Sequence, residues 1–257
     1  MICALVIGKK ESSGFPGKNT ETVLGRPMVA YPILAAQGTT WVDRVYVSTD
    51  CPDIIDIAQK LGCQVIHRPP HLCTKTALGE DVFMHGLWRI QEDNPERDWP
   101  DLLVLLHANA PTVSTAMIEE GIRVLRDRPE LDSAVSVSRY NMWAPVRARR
   151  IGADGLVHPY LPLEMMPDYS TSTCDRDSTG DVWFADVALS VVRPRCLERL
   201  EDGIPPQRWM GRVIYPILNE GGLDIDYEWQ LPMIEHWLLR HGYAEQPDWD
   251  EIYRRAF

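Results

Sequence analysis

The chain has 257 residues, 45% hydrophobic and 25% charged, the balance of an ordinary globular protein long enough to bury one sizeable core. A formal net charge of −11 leaves no excess of cations for a general nucleic-acid binder, so nucleic acid is not expected as a partner. No apolar run approaches membrane-spanning length and the run 2–7 is too short for the apolar core of a secretion signal, so no membrane association and a cytoplasmic location are expected.

Apolar strand-like runs alternate with helical patterns along the first half of the chain. That rhythm implies an α/β fold, a Rossmann-like mixed but mostly parallel sheet with helices on both faces. Strands are predicted over 2–7, 44–48, 64–67, 102–107 and 133–138. Helices are predicted over 28–37 and 53–61, with Pro27 and Pro52 as first-turn residues, and over 80–90 and 115–126. The rhythm breaks over 141–181, a segment rich in Arg, Pro, Asp, Ser and Thr that includes Arg147, Arg149 and Arg150. It is expected to be an arm inserted into a single domain spanning 1–257. Alternation resumes over 182–192 and 213–218, followed by a helix within 228–240 and a short terminal helix. Cys3, Cys51, Cys63, Cys73, Cys174 and Cys196 include no CxxC pair and no zinc-finger spacing with histidine, so they are expected to be reduced thiols.

The first predicted strand empties into a polar loop from Gly8 to Asn19, closing on Gly14-Phe15-Pro16-Gly17-Lys18-Asn19. Glycines expose backbone N–H groups and the lysines Lys9, Lys10 and Lys18 add positive charge, a combination suited to phosphate. The spacing matches neither the Walker loop nor the dinucleotide fingerprint. The second informative segment is Leu223-Asp224-Ile225-Asp226. On a strand, Asp224 and Asp226 would share a face, and two such carboxylates suit a hard, oxygen-loving ion such as Mg²⁺; an acidic strand end with Asp226 as a helix N-cap is the competing reading. A cation-bearing glycine loop with a metal-type carboxylate pair is the equipment of phosphoryl or nucleotidyl transfer, which needs charge neutralisation more than covalent chemistry. No nucleophile elbow or Ser/His/Asp set is present. His107, at the end of a predicted strand, is a candidate ligand contact, and Arg176 a candidate carboxylate or phosphonate clamp unless its flanking aspartates hold it. Trp143, Trp183, Trp209 and Trp229 are expected in the core or at a subunit contact rather than as stacking platforms.

The loop 7–19, Leu24-Gly25-Arg26-Pro27-Met28-Val29-Ala30-Tyr31, Val47-Ser48-Thr49-Asp50, Arg68-Pro69 and Asp224-Ile225-Asp226 occur in one order. That order resembles the cytidylyltransferases that make CMP-sialic acid, CMP-legionaminic or pseudaminic acid and, more distantly, CMP-Kdo. The resemblance covers most of the chain and is closest over 2–70 and 213–229. It implies a fold of the nucleotide-diphospho-sugar transferase type and CTP as substrate. It places Lys9, Ser12, Lys18, Asn19 and Arg68 at the nucleotide and Mg²⁺ on Asp224 and Asp226. Lys18, Asp224 and Asp226 would carry catalysis. A small acidic acceptor, of the 2-keto sugar acid type, would attack the α-phosphate and release pyrophosphate. His107, Asn109, Arg176 and Asp186 would contact that acceptor, and the arm would join two copies as a homodimer.

Departures from the family pattern fall mostly on the acceptor side. Lys9 stands where an arginine is usual and Ser13 where a lysine or arginine is usual. His107-Ala108-Asn109-Ala110-Pro111 replaces Gln-Pro-Thr-Ser-Pro, and Ala185-Asp186 replaces Asn-Gly. Three alternatives follow: cytidylyl transfer to a phosphonate or other small acid, a glycosyltransferase with an Asp-x-Asp metal site, and a non-catalytic nucleotide-binding relative.

Overall fold

A computed structural model describes residues 1–11, 14–96, 99–165, 173–178 and 180–245. The elements in chain order are β1 (Ile2–Ile7), β2 (Thr22–Val23), β3 (Arg26–Pro27), α1 (Ala30–Gln37), β4 (Arg44–Thr49), α2 (Pro52–Lys60), β5 (Gln64–His67), α3 (Gly79–Glu92), β6 (Leu102–His107), α4 (Thr115–Asp127) and β7 (Ser133–Arg139). They continue with β8 (Arg149–Ile151), β9 (Val157–Pro159), β10 (Trp183–Val192), α5 (Arg195–Glu198), β11 (Ile214–Leu218) and α6 (Leu231–Arg240). Seven strands form one sheet in the order β11-β7-β10-β6-β1-β4-β5. Only β10 runs antiparallel to its neighbours, so the sheet is mixed and mostly parallel, as expected.

The period-two geometry of β1 divides the core. Ile2, Ala4 and Val6 join an apolar cluster with residues of α1, α2, α4 and α6. Cys3, Leu5 and Ile7 join a second cluster with residues of α3 and α5. β1 and β6 are buried along nearly their whole length and read as near-continuous apolar runs, which is why 2–7 and 102–107 were identifiable to the residue. α4 begins where Ser114 Oγ accepts the Met117 N–H at 3.3 Å, a cap worth about 1 kcal/mol.

Pro27 is not the first-turn residue of a helix. Leu24 and Gly25 have left-handed backbones, φ 47° and 75°, and turn the chain so that Pro27 pairs with Thr22 in a small hairpin. α1 starts at Ala30, and Pro32 occupies its first turn instead, where a missing N–H leaves no bond unmade. The β8–β9 hairpin forms its own two-stranded sheet, apart from the main one. The expected terminal helix falls largely outside the described residues. All six cysteines are free; Cys3, Cys51, Cys63 and Cys196 are buried, and burial pushes the Cys63 thiol up to about 12 and that of Cys196 up to about 11.

Candidate active site

The C-terminal ends of the parallel strands β1, β4, β5 and β6 converge on one cleft, the end of an open α/β sheet where ligands gather. The chain leaves β1 at Gly8, whose N–H donates to the Ser48 carbonyl at 3.2 Å. A Cβ on Gly8 would lie 2.7 Å from Cβ of Ala108, so only glycine lets the loop exit between the two neighbouring strand ends. Gly14 does the same against the acidic segment, since a Cβ there would lie 2.5 Å from the Asp226 carbonyl. Gly17, at φ 78°, opens the 3-10 turn Lys18–Thr20. That turn aims Lys18 inward. Its buried side chain donates from Nζ to Asp226 Oδ1 at 2.6 Å and to the Ile225 carbonyl.

Asn19 Nδ2 donates to the Lys9 carbonyl at 2.9 Å and closes the loop on itself. Lys9 Nζ donates to the Thr74 carbonyl at 3.2 Å. Ser12 and its neighbour Ser13 lie outside the described residues. Across the cleft, Arg68 follows β5 and is buried. Its Nη2 donates to the Ser48 carbonyl at 2.6 Å and its Nε to Ser48 Oγ at 3.4 Å, while Nη1 has no partner among the described residues. Burial pulls its pKa down, and Cys73 and Asp50 only partly oppose that. A buried guanidinium with spare donors and no carboxylate partner is poised for an anion or a carbonyl oxygen.

Asp224 and Asp226 do not lie on a strand. β11 ends at Leu218, Gly221 turns with φ 77°, and the chain returns as an extended strap bonded to side chains and loop backbone rather than to a sheet. Thr112 Oγ1 accepts the Leu223 N–H at 3.0 Å and Asn109 accepts the Ile225 N–H on its carbonyl at 2.8 Å. Asn109 Nδ2 donates to the Ile225 carbonyl at 2.9 Å and to Asp224 Oδ2 at 3.3 Å. Ile225 points into the core, as the alternation required, and the two carboxylates stay on the other side. Burial, then the charge of Asp226, push the Asp224 carboxyl up, and Lys18 pulls it back. Asp226 is not an N-cap: Gln230 Oε1 accepts the N–H groups of Asp226 and Tyr227 at 2.7 and 2.8 Å. Among the described residues no cluster of three or more metal-type ligands exists. Two carboxylates fit an ion that completes its shell with phosphate oxygens and water, as Mg²⁺ does, and fit a fully protein-caged ion poorly.

His107 ends β6. Its Nδ1 lies 3.1 Å from the Val187 carbonyl, and its ring packs edge-on against Phe83 with centroids 5.4 Å apart. Burial pushes its pKa down to about 4, with Lys18 and Arg68 adding to the effect and the Val187 bond opposing it. Lys9, Lys18, Asn19, Arg68, His107, Asn109 and Asp226 all face one cleft of about 310 Å³. The segment before α3 supplies a wall that the sequence reading missed, with Leu72, Thr74, Ala77 and Gly79. Its only sequence signal is the helix start at Gly79, which no side chain caps.

Two expected acceptor contacts are not brought to this cleft. Asp186 is buried and turned into the protein, where it accepts from Ser138 Oγ at 2.7 Å, Asn219 Nδ2 at 3.0 Å, the Ala188 N–H at 3.1 Å, and Ser136 Oγ. Arg176 is exposed, pairs with Asp177 at 3.0 Å, and lines a separate hollow with Arg139, Tyr140 and Asn141. Trp209 is in the core beside Phe83, whereas Trp143, Trp183 and Trp229 are exposed. A hollow of about 660 Å³ at the opposite end of the strands is larger, but Asp43, Arg44 and Asp93 there offer no comparable gathering of uncompensated charge.

A parallel-sheet cleft that sets buried Lys18 and Arg68 beside Asp226 is an α/β arrangement suited to nucleotide phosphates. The family model described as Cytidylyltransferase matches residues 4–143, more than half of the chain, and the chain belongs to that family. It is 26% identical over 246 residues to the N-acylneuraminate cytidylyltransferase of Oncorhynchus mykiss, covering 94% of this chain and 51% of that protein. It is 29% identical over 162 residues to the CMP-N,N'-diacetyllegionaminic acid synthase of Legionella pneumophila, covering 62% of this chain and 67% of that one. The chain spans about half the length of the N-acylneuraminate cytidylyltransferases of Oncorhynchus mykiss and Danio rerio. Among solved structures, a CMP:2-keto-3-deoxy-manno-octonic acid synthetase complexed with CTP shares the fold, with a TM-score of 0.64 at 16% identity over 93% of this chain and 99% of that one. The 4-diphosphocytidyl-2C-methyl-D-erythritol synthase of Anaerococcus prevotii does so with a TM-score of 0.59 at 14% identity, over 93% and 96%.

Proposed function

We propose that the cleft binds CTP and transfers its cytidylyl group to a 2-keto sugar acid of the nonulosonic type. The observation that carries this reading is the convergence of Lys18, Arg68 and Asp226, drawn from three distant parts of the chain, at one strand-end cleft, with Asp224 held beside them by Asn109. The acceptor's anomeric hydroxyl oxygen forms a bond to the α-phosphorus of CTP, the bond from that phosphorus to the bridging oxygen breaks, and pyrophosphate leaves with the bonding pair. The hydroxyl proton passes to solvent. Lys18 neutralises charge on the phosphates, and Arg68 offers its spare N–H groups to the nucleotide. Asp224 and Asp226 would hold Mg²⁺, which supplies further neutralisation of the triphosphate and leaving group. Asn109 orients Asp224 and tethers the strap.

The proposed active form is a homodimer. The arm carries apolar side chains that nothing among the described residues covers, including Ile151 at 79% exposure, Val157 at 69% and Tyr160 at 61%. Three-residue strands with that much exposed apolar surface need another surface to bury it. The six free thiols suit a reducing, cytoplasmic setting.

The test is pyrophosphate release from CTP and Mg²⁺ with a panel of acceptors: nonulosonic acids, the shorter 2-keto sugar acids, and phosphonates. Release with a sugar acid and formation of the CMP conjugate support the reading. Release only with phosphonates would replace the acceptor and keep cytidylyl transfer. Transfer from a nucleotide sugar, with none from CTP, would leave a glycosyltransferase, and CTP binding without turnover a nucleotide-binding relative.

A further inference from the structure

Asp186 is a buried carboxyl group with a partner on every side, yet it contacts nothing in the cleft. Oδ1 accepts from Ser136 Oγ and the Ala188 N–H, and Oδ2 from Ser138 Oγ and Asn219 Nδ2. These four partners fix the carboxyl in place, while burial pushes its pKa up and the Ser138 hydroxyl also reaches the Asn219 carbonyl at 2.7 Å. These bonds sit at an irregularity. The pairing of β10 with β7 shifts register between Ala185 and Ser190, and Val187 inside the bulge has φ 54°. A β-branched residue takes that left-handed conformation only where its surroundings impose it.

The bulge has a visible consequence on the cleft side. Its strained residue turns the Val187 carbonyl toward His107, where it lies 3.1 Å from Nδ1. A carbonyl only accepts, so the proton of the neutral ring is on Nδ1 and Nε2 carries the lone pair. Nε2 has no partner among the described residues, and His107 lines the cleft. The charged groups acting on the ring are the cations Lys18 and Arg68, and its other near neighbours are the aromatic rings of Phe83 and Trp209. Apolar walls and two cations keep the ring neutral.

We infer that Asp186 is a positioning residue: it locks the β10 bulge so that the Val187 carbonyl fixes the His107 tautomer, leaving Nε2 as a hydrogen-bond acceptor that favours an acceptor molecule presenting a hydroxyl there over one presenting an anionic oxygen. The substrate half rests on the cytidylyl-transfer reading. The tautomer half does not. A lone pair facing a hydroxyl gains a hydrogen bond, whereas facing a phosphonate or carboxylate oxygen it meets another lone pair.

The test combines ring ¹⁵N spectroscopy with kinetics on the full chain. In the wild type the His107 ring should show a protonated Nδ1 and an unprotonated Nε2 from about pH 5.5 to about pH 8. Asp186→Asn should mix the tautomers and lower kcat/KM for the sugar acid roughly tenfold, with KM for CTP within about twofold. Ser133→Ala is the stability control, because it removes the buried bond from Ser133 Oγ to the Met210 carbonyl at the far end of β7. It should lower the melting temperature without moving the His107 signals. In a His107→Gln background, whose amide oxygen needs no tautomer, Asp186→Asn should add little further loss.

A protonated Nε2 or an imidazolium in the wild type overturns the inference, as do unchanged His107 signals in Asp186→Asn or losses that add in the double variant. If the wild type binds CTP but releases no pyrophosphate with any acceptor, the cytidylyl-transfer reading falls and the substrate half with it. The ring spectra of the wild type and of Asp186→Asn then decide the positioning claim alone.

Discussion

Replacing Lys18 by methionine separates the catalytic role of the loop from its structural one. Methionine keeps most of the buried aliphatic stem and removes only the ammonium. The lost bonds are those to Asp226 Oδ1, at 2.6 Å, and to the Ile225 carbonyl. Neither leaves a buried orphan. Asp226 has a side chain 61% exposed and can be hydrated, and the Ile225 carbonyl still accepts from Asn109 Nδ2 at 2.9 Å. The stability loss should therefore be about 1 kcal/mol, a fall of about 2–4 °C in melting temperature for a chain of this size. Catalysis should suffer far more. Removing a preorganised charge from the position of the transferring phosphate costs about 3–4 kcal/mol of transition-state stabilisation, or roughly 10²–10³ in kcat. The paired assays are scanning calorimetry and continuous pyrophosphate release at saturating CTP, Mg²⁺ and sugar acid. A loss of rate under about fivefold would refute the assignment of Lys18 to the phosphates, and so would a large rate loss that simply tracks unfolding.

Arg68→Met should raise KM for CTP by roughly 10- to 100-fold, because a charge-assisted contact is lost, while stability changes by less than about 1 kcal/mol, since a buried guanidinium without a carboxylate partner is itself costly; initial-rate kinetics and calorimetry decide both. Asp224→Asn keeps the shape of the strap and should cut Mg²⁺-dependent turnover by more than about 10²-fold with the fold intact, and activity that persists in EDTA would contradict the metal role. Ile151→Asp combined with Val157→Asp should convert a dimer to a monomer by light scattering, and an unchanged mass would remove the arm from the interface. For pH, a histidine held down to about 4 is neutral on both sides of the ordinary histidine range, so kcat/KM for the acceptor should show no inflection from His107 between about pH 5.5 and about pH 7.5. An inflection there that vanishes in His107→Gln would contradict its neutral state.

β1 and β6 were legible because each is a nearly uninterrupted apolar run, and a strand covered on both faces can be little else. The glycine loop was legible for a related reason, since its residues are adjacent in the chain. Errors came where a local pattern has two physical solutions. Pro27 follows Gly25 closely enough to belong to a hairpin as well as to a helix start, and the left-handed φ of Leu24 and Gly25 decides between them. Asp224-Ile225-Asp226 alternates like a strand, but its partners are Asn109 and Thr112, more than a hundred residues away, and no short-range signal encodes them. Asp186 was located by resemblance, which gives a position in the chain and says nothing of the direction of the side chain. The readable clue was on another strand: Ser136 and Ser138, two apart in an otherwise apolar run, present two hydroxyls on one face, and buried hydroxyls need a partner.

The same asymmetry explains why the two halves of the cleft differ from family patterns to different degrees. In the proposed reading, phosphate would be held by backbone shape and positive charge. Gly8 and Gly14 permit approaches that a Cβ would block at 2.7 and 2.5 Å, so that side tolerates little change. On the proposed acceptor side, His107 on β6 is backed by Val187 and Asp186 on β10, Ser136 and Ser138 on β7, and Asn219 just after β11, and of these only His107 lines the cleft. That side depends on a closed set of hydrogen bonds rather than on a backbone shape, and such a set can be exchanged as a unit for another that is equally satisfied. Substituting any one member strands a buried partner, whereas substituting several together need not. Single changes among Ser136, Ser138, Asp186 and Asn219 should therefore each lower stability, while a double change that removes a donor with its acceptor recovers part of the loss. Strict additivity in that cycle, read by chemical denaturation, would show that the four act independently and that the acceptor wall is not a unit.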